Sequence, residues 1–173
     1  MKKKNFFLVA GIALLFLALF TMNYSCKNAG QKSAEQAMEQ AIEQNTGEDA
    51  DVDLSNQSAT IHSGDVTSHV DGGASTWPAD APAEIPEFTF GKITGVTTSD
   101  HPEMYIWTIV YNEVPADAFK KYNDLLKAKG WQTVFMDMAG QGGSITWESG
   151  DLALSVMGGD GNAVVGVSKK KAQ

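Results

Sequence analysis

Arginine is absent from this chain, and cysteine occurs once, at Cys26. A lone cysteine closes no internal disulfide, so any folded part rests on its apolar core. Positive charge is scarce too: thirteen lysines stand against 21 acids. Three of those lysines precede residue 6, leaving ten lysines against the 21 acids and a formal charge of −11 after Cys26. A surface of that sign repels phosphate backbones and anionic headgroups, which argues against nucleic-acid binding. Catalytic signatures are missing as well. There is no nucleophile elbow and no HExxH pattern, and the glycine-rich stretch 158–162 lacks a phosphate-loop lysine-serine pair. With 173 residues, 43% of them hydrophobic, the chain has material for one modest core and some appendages.

Against that background the N-terminus stands out. Lys2, Lys3 and Lys4 precede an uncharged run, FFLVAGIALLFLALFTM, over residues 6–22. This is the basic and apolar pattern of an export signal. Its 17 residues, at about 1.5 Å rise each, fall slightly short of the roughly 30 Å hydrocarbon layer, which favours a cleaved signal over a spanning helix. The lysines stay on the cytoplasmic side, so the chain beyond Met22 is placed outside. Four residues beyond the run comes Cys26, in Asn23-Tyr24-Ser25-Cys26-Lys27. The segment resembles a bacterial lipoprotein signal, which is cut before a cysteine whose sulfur then carries a diacylglycerol. Ser25 matches the small residue of that box; Asn23 and Tyr24 depart from its usual leucine and small residue. Cys26 is therefore the expected lipidation site, with an uncleaved transmembrane anchor and a released protein as alternatives. A lipid there anchors by about 0.8 kcal/mol for each buried CH2.

Residues 1–25 thus read as signal peptide, 26–32 as a tether and 33–75 as a helix followed by a small β-meander. Ser33 is a candidate cap for a helix with Ala34, Met38, Ala41 and Ile42 on one face and Glu35, Glu39 and Glu43 on another. The stripe is thin and glutamates four apart repel, so this helix is expected to depend on packing. Asp49, Asp51 and Asp53 suggest a calcium loop, but the sixth and twelfth positions hold Leu54 and Thr60 where glycine and glutamate are needed. Alternation of Ala50, Val52 and Leu54 with the aspartates reads instead as a half-buried strand. His62 and His69 sit in a following hairpin without a third ligand at metal spacing.

Residues 76–88 form a proline-rich linker, with Pro78, Pro82 and Pro86 keeping it extended and Trp77, Ile85 and Phe88 available as anchors onto the C-terminal half. The 89–168 region is the most regular, and 169–173 is a basic tail read as solvated. Strands are expected at 90–98, 104–111, 131–138, 144–148, 152–157 and 163–168. A helix after Pro115 presents Phe119, Tyr122, Leu125 and Leu126 on one face and stops at Gly130. Short Gly/Asp turns make neighbours antiparallel. The expected fold class is α+β: an antiparallel sheet packed against one amphipathic helix, β-β-α-β-β-β-β, preceded by a short helix and a small β-hairpin. His101, beside Asp100 and Glu103 in a turn, is the one histidine placed to be oriented by acids, although a nucleophile to go with it is not evident.

The order of features, a Glu/Ala helix, DADVD, WPxDxPxxIPxF and a helix ending in KAKGW, resembles a family of bacterial envelope lipoproteins with no assigned activity. The resemblance spans residues 33–168. It implies an extracytoplasmic location and no activity, and it supplies no catalytic or binding residues to carry over; no cofactor and no metal are expected. The expected function is a membrane-anchored, non-enzymatic binding or assembly module of the cell envelope. Its expected partners are the membrane, through the lipidated N-terminus, and an envelope protein. The alternative is an envelope hydrolase or metal-dependent enzyme with its site near His101.

Overall fold

The computed structural model describes residues 29–55, 57–140 and 142–172. Cys26 and the apolar run before it lie outside the described residues. Among the described residues, no helix is long and apolar enough to cross a membrane. Within these residues two helices, α1 (Ala29–Thr46) and α2 (Ala118–Ala128), accompany nine strands. The strands are β1 (Ala50–Ser55), β2 (Ser58–Ser63), β3 (Val66–Asp71), β4 (Lys92–Asp100), β5 (Met104–Asn112), β6 (Gln132–Ala139), β7 (Gly142–Ser149), β8 (Leu152–Gly159) and β9 (Asn162–Lys170).

The strand order overturns the expectation of a sheet packed against one helix as β-β-α-β-β-β-β, with a separate short helix and hairpin ahead of it. The nine strands follow one hydrogen-bonded order, β1-β2-β3-β4-β5-β9-β8-β7-β6, so the described residues form one large, mostly antiparallel sheet with two helices. The decisive pairing is β3 with β4, antiparallel from Thr67↔Asp100 to Asp71↔Val96. Alternation along a strand reports which residues share a face, but says nothing about a partner on the far side of the 72–91 segment. The first helix is not short either. It is 18 residues long and begins at Ala29, so Ser33 lies within it and is not its cap.

By contact density the chain divides into two units, residues 1–54 with 61–64, and residues 55–60 with 65–173. The first has a small core in which Met38 and Ile42, one turn apart on α1, are buried with Val52 of β1. Gly47, at φ 74°, ends α1 by donating its N–H to the Glu43 carbonyl at 2.8 Å.

In the larger unit, the residues of β5, β9, β8 and β7 alternate in burial. Ile109, Val165, Val156 and Ile145 are fully buried on one side, and Val110, Val164, Met157 and Ser144 lie on the other. Helix α2 contributes Phe119, Tyr122 and Leu126 to the same core. At its end the N–H of Gly130, at φ 86°, bonds the Lys127 carbonyl, and the N–H of Trp131 bonds the Leu126 carbonyl, turning the chain directly into β6. The β8–β9 turn places Asp160 and Gly161 both at positive φ, the mirror-image turn that suits the strand twist.

The proline-rich segment belongs to this core. Ile85 and Phe88 are buried, and Phe88 meets Tyr111 and Tyr122 edge-on, both at 5.0 Å between ring centres. Tyr122 donates its hydroxyl hydrogen to the Pro86 carbonyl, and the Trp147 indole N–H donates to Asn123 Oδ1 at 3.1 Å. Burying the four rings Phe88, Tyr111, Tyr122 and Trp147 contributes more to stability than any polar contact in the unit, at roughly 25 cal/mol per Å2 of apolar surface removed from water.

Candidate functional site

Strand β6 differs from every other strand in the sheet: all eight of its residues are exposed. It is the last strand in the sheet order and, among the described residues, pairs with β7 alone. Thr133 opposes Trp147, Met136 opposes Ile145 and Met138 opposes Gly143, so these side chains sit on the buried side of the sheet but beyond its cover. Phe135 opposes Thr146 and Asp137 opposes Ser144 on the other side, and Val134 is the extra residue of a β-bulge. Val134, Phe135, Met136 and Met138 are between 43% and 52% exposed, while the strand carries one charge, Asp137. An edge of this kind presents unpaired backbone N–H and C=O groups alongside apolar side chains, the combination that recruits another strand.

The strand at the other end of the order, β1, is treated differently. The N–H groups of Ala50, Val52 and Leu54 donate to Glu43 Oε1, Glu39 Oε1 and Glu35 Oε1 at 3.4, 3.2 and 3.1 Å. Glutamates four apart advance about 6 Å along a helix, and alternate strand residues advance a little under 7 Å, so the two repeats nearly match. The glutamate face of α1, expected to be self-repelling, is therefore a row of acceptors for the free edge of β1. Asp51 and Asp53 point to solvent between the bonded positions.

A groove of about 220 Å3 lies where β3, β4 and β5 run side by side. His69, Asp80, Thr98, Asp100, Tyr105 and Trp107 line it. The strand register puts His69, Thr98 and Trp107 in one row and Asp100 beside Tyr105 in the next. Asp80, from the proline-rich segment, accepts the Trp107 indole N–H at 3.1 Å. Tyr105 stays partly exposed, with Lys171 Nζ over its ring at 4.4 Å from the centre and paired with Asp100. The hydrogen bond to Asp100 raises the Lys171 pKa further, so the ammonium is held charged. The basic tail, read from sequence as solvated, thus places a cation on an aromatic-and-acid corner.

His101 adjoins that corner without joining it. Its backbone N–H donates to the Met104 carbonyl at 2.9 Å and closes the β4–β5 turn. Its side chain is half-buried and lines neither this groove nor a second of about 530 Å3 beside Glu103, Met104 and residues 170–172. Burial lowers its pKa, an effect partly opposed by Asp100 and reinforced by Lys171. Among the described residues, no three His, Cys, Asp or Glu side chains are grouped to hold a metal ion. His69 faces Thr60 Oγ1 at 3.2 Å, and His62 is exposed.

Sequence reasoning located the strand at 131–138 but missed its exposure. The signal was present: Val134, Phe135 and Met136 are consecutive apolar residues, which a strand with one wet face does not carry. Compared with known proteins, the chain matches no family model, no curated protein and no solved structure.

Proposed function

We propose that the chain is an extracytoplasmic lipoprotein of the bacterial envelope lipoprotein type, held to a membrane through Cys26, and that it works as a non-enzymatic assembly module. The observation that carries this reading is β6, an eight-residue edge strand exposed throughout and bearing four large apolar side chains. Soluble domains blunt such edges with charges, prolines or covering elements, and β1 in this chain has its glutamates. An apolar edge left open serves as a docking element, adding an extended segment as a new strand: main-chain hydrogen bonds supply affinity and flanking side chains supply selectivity. The signal-like run at 6–22 and the cysteine beyond it support display from the outer face of a membrane. The net charge of −11 after Cys26 keeps the displayed part away from anionic headgroups, so the anchor and not the folded surface holds the membrane.

The test has two parts. The chain is purified from its own cells with its N-terminus intact, and that terminus is weighed: a diacylglycerol on Cys26 supports the anchor, whereas an unmodified Cys26 behind an intact 1–25 segment replaces it with a transmembrane one. Amide exchange is then measured over β6 in intact membranes. Protection of 135–139 beyond what the isolated monomer shows supports docking, and equal exchange in both removes it.

A further inference from the structure

We propose that the occupant of the β6 edge is β6 of a second copy, paired antiparallel about a two-fold axis, so that one sheet runs through both copies. This inference rests on reading β6 as the docking element and adds what docks there.

Closure favours a second copy. A sheet with two open edges adds strands without limit, whereas a sheet with one open edge joined to its own kind is finished at two copies. In this chain the N–H groups of Ala50, Val52 and Leu54 on β1 are already bonded to Glu43, Glu39 and Glu35, leaving β6, among the described residues, as the open end of the strand order.

Charge and register also permit self-pairing. Strand β6 has one charged residue, and beyond the bulge at Val134 its residues alternate regularly, with Phe135 and Asp137 on one face and Met136 and Met138 on the other. An antiparallel pair keeps like faces together. Centring the two-fold axis on Asp137 sets two carboxylates against each other. Centring it on Met136 sets Met136 against its own mate, Asp137 beside Phe135 and Met138 beside Val134, which separates the acids and sets Met136, Met138 and Val134 against apolar partners. The register centred on Met136 is therefore the one assigned.

Area is sufficient. Four large side chains about half exposed amount to on the order of 400 Å2 of accessible surface per copy. With the backbone of the paired strands, two copies approach the roughly 1,000 Å2 at which a specific interface begins. Tethering both copies to one membrane raises their effective concentration, so an interface of this modest size is adequate.

The experiment uses the full chain in detergent micelles and in its own cells. Light scattering corrected for detergent is expected to give a dimer mass, with dissociation favoured at low salt because the two copies carry like charge. Phe135→Lys is expected to weaken dimerisation at least tenfold while leaving the melting transition in place. Met136→Cys puts a thiol on the two-fold axis, where Cα separations of paired strands fall within the disulfide range, and is expected to give a reducible dimer in an oxidising compartment that the parent chain does not give. Asp124→Cys, on the exposed face of α2, is the control and is expected to stay monomeric on a non-reducing gel. A monomer at all concentrations overturns self-pairing, and so does a dimer in which Met136→Cys links no faster than Asp124→Cys. If 135–139 is nevertheless protected from exchange in membranes, docking at β6 stands with a different occupant; if it is not, both readings fall together.

Discussion

The two terminal strands of the sheet face the same physical problem and meet it differently. At β1, three alternate N–H groups find carboxylate oxygens on α1, whereas β6 reaches solvent with every residue exposed. An edge is thus not inert or adhesive by virtue of being an edge; what matters is whether its polar groups have partners. Sequence composition alone ranks these strands the wrong way round. The aspartate-rich β1 looks self-protected and β6 looks like core, yet β1 is the covered strand and β6 the bare one.

The most disruptive way to break this contrast is to remove the cover. Replacing Glu35, Glu39 and Glu43 together with Ala is expected to cost about 3 kcal/mol in the stability of the α1–β1 unit, roughly 1 kcal/mol per hydrogen bond to an ionised acceptor after allowance for exposure. It also opens a second edge, so light scattering should show assemblies larger than a dimer. Phe135→Lys acts on the other edge and should do the reverse, shifting association by at least tenfold while changing the unfolding free energy measured in urea by no more than about 0.5 kcal/mol, as exposed substitutions do.

A third experiment carries the comparison of partnered and unpartnered polar groups into the core. The Tyr122 hydroxyl is bonded to the Pro86 carbonyl, while the equally buried Tyr111 hydroxyl has no partner among the described residues. Burial pushes the pKa of both phenols well above its ordinary value, so both stay protonated. Tyr122→Phe should destabilise by about 1 kcal/mol, and Tyr111→Phe should be neutral or stabilise by a similar amount, since it removes an unsatisfied group. Equal losses from both in urea unfolding would show that the Tyr111 hydroxyl has a partner after all.

The smallest effect concerns His101. Its folded-state pKa lies below the unfolded value near 6.5, mainly through burial, so the unfolded chain binds more protons in the window below 6.5. Stability is therefore full above that value and declines as the pH falls from 6.5 toward the folded pKa. The slope of stability against pH from 7.5 to 5 should flatten in His101→Gln, and an unchanged slope would assign the dependence to other groups.

Much of the larger unit is legible in the residue pattern alone. The apolar spacing of Phe119, Tyr122 and Leu126, the stop at Gly130 and the Asp160-Gly161 turn each depend on neighbours within a few residues, and a local code is sufficient for them. Ile85 and Phe88 are legible as anchors because apolar residues in a proline-rich stretch need a core to join. The candidate site is not legible in the same way. The pairing of Lys171 with Asp100 spans 71 residues, and that of Glu35 with Leu54 links a helix to a strand by a match of two repeats. Neither has a signature at short range.

The sequence by itself determined the acidic balance, the apolar N-terminal run with Cys26 behind it, and which residues of most strands and of α2 turn inward, because charge and hydrophobic period are properties of the chain alone. Only the tertiary structure decided that β3 pairs with β4, that β1 and β6 are the terminal strands, and that one of them is capped by glutamates while the other is open. Strand order depends on contacts between distant residues, and a period-two pattern reads the same in an interior strand as in one at the edge.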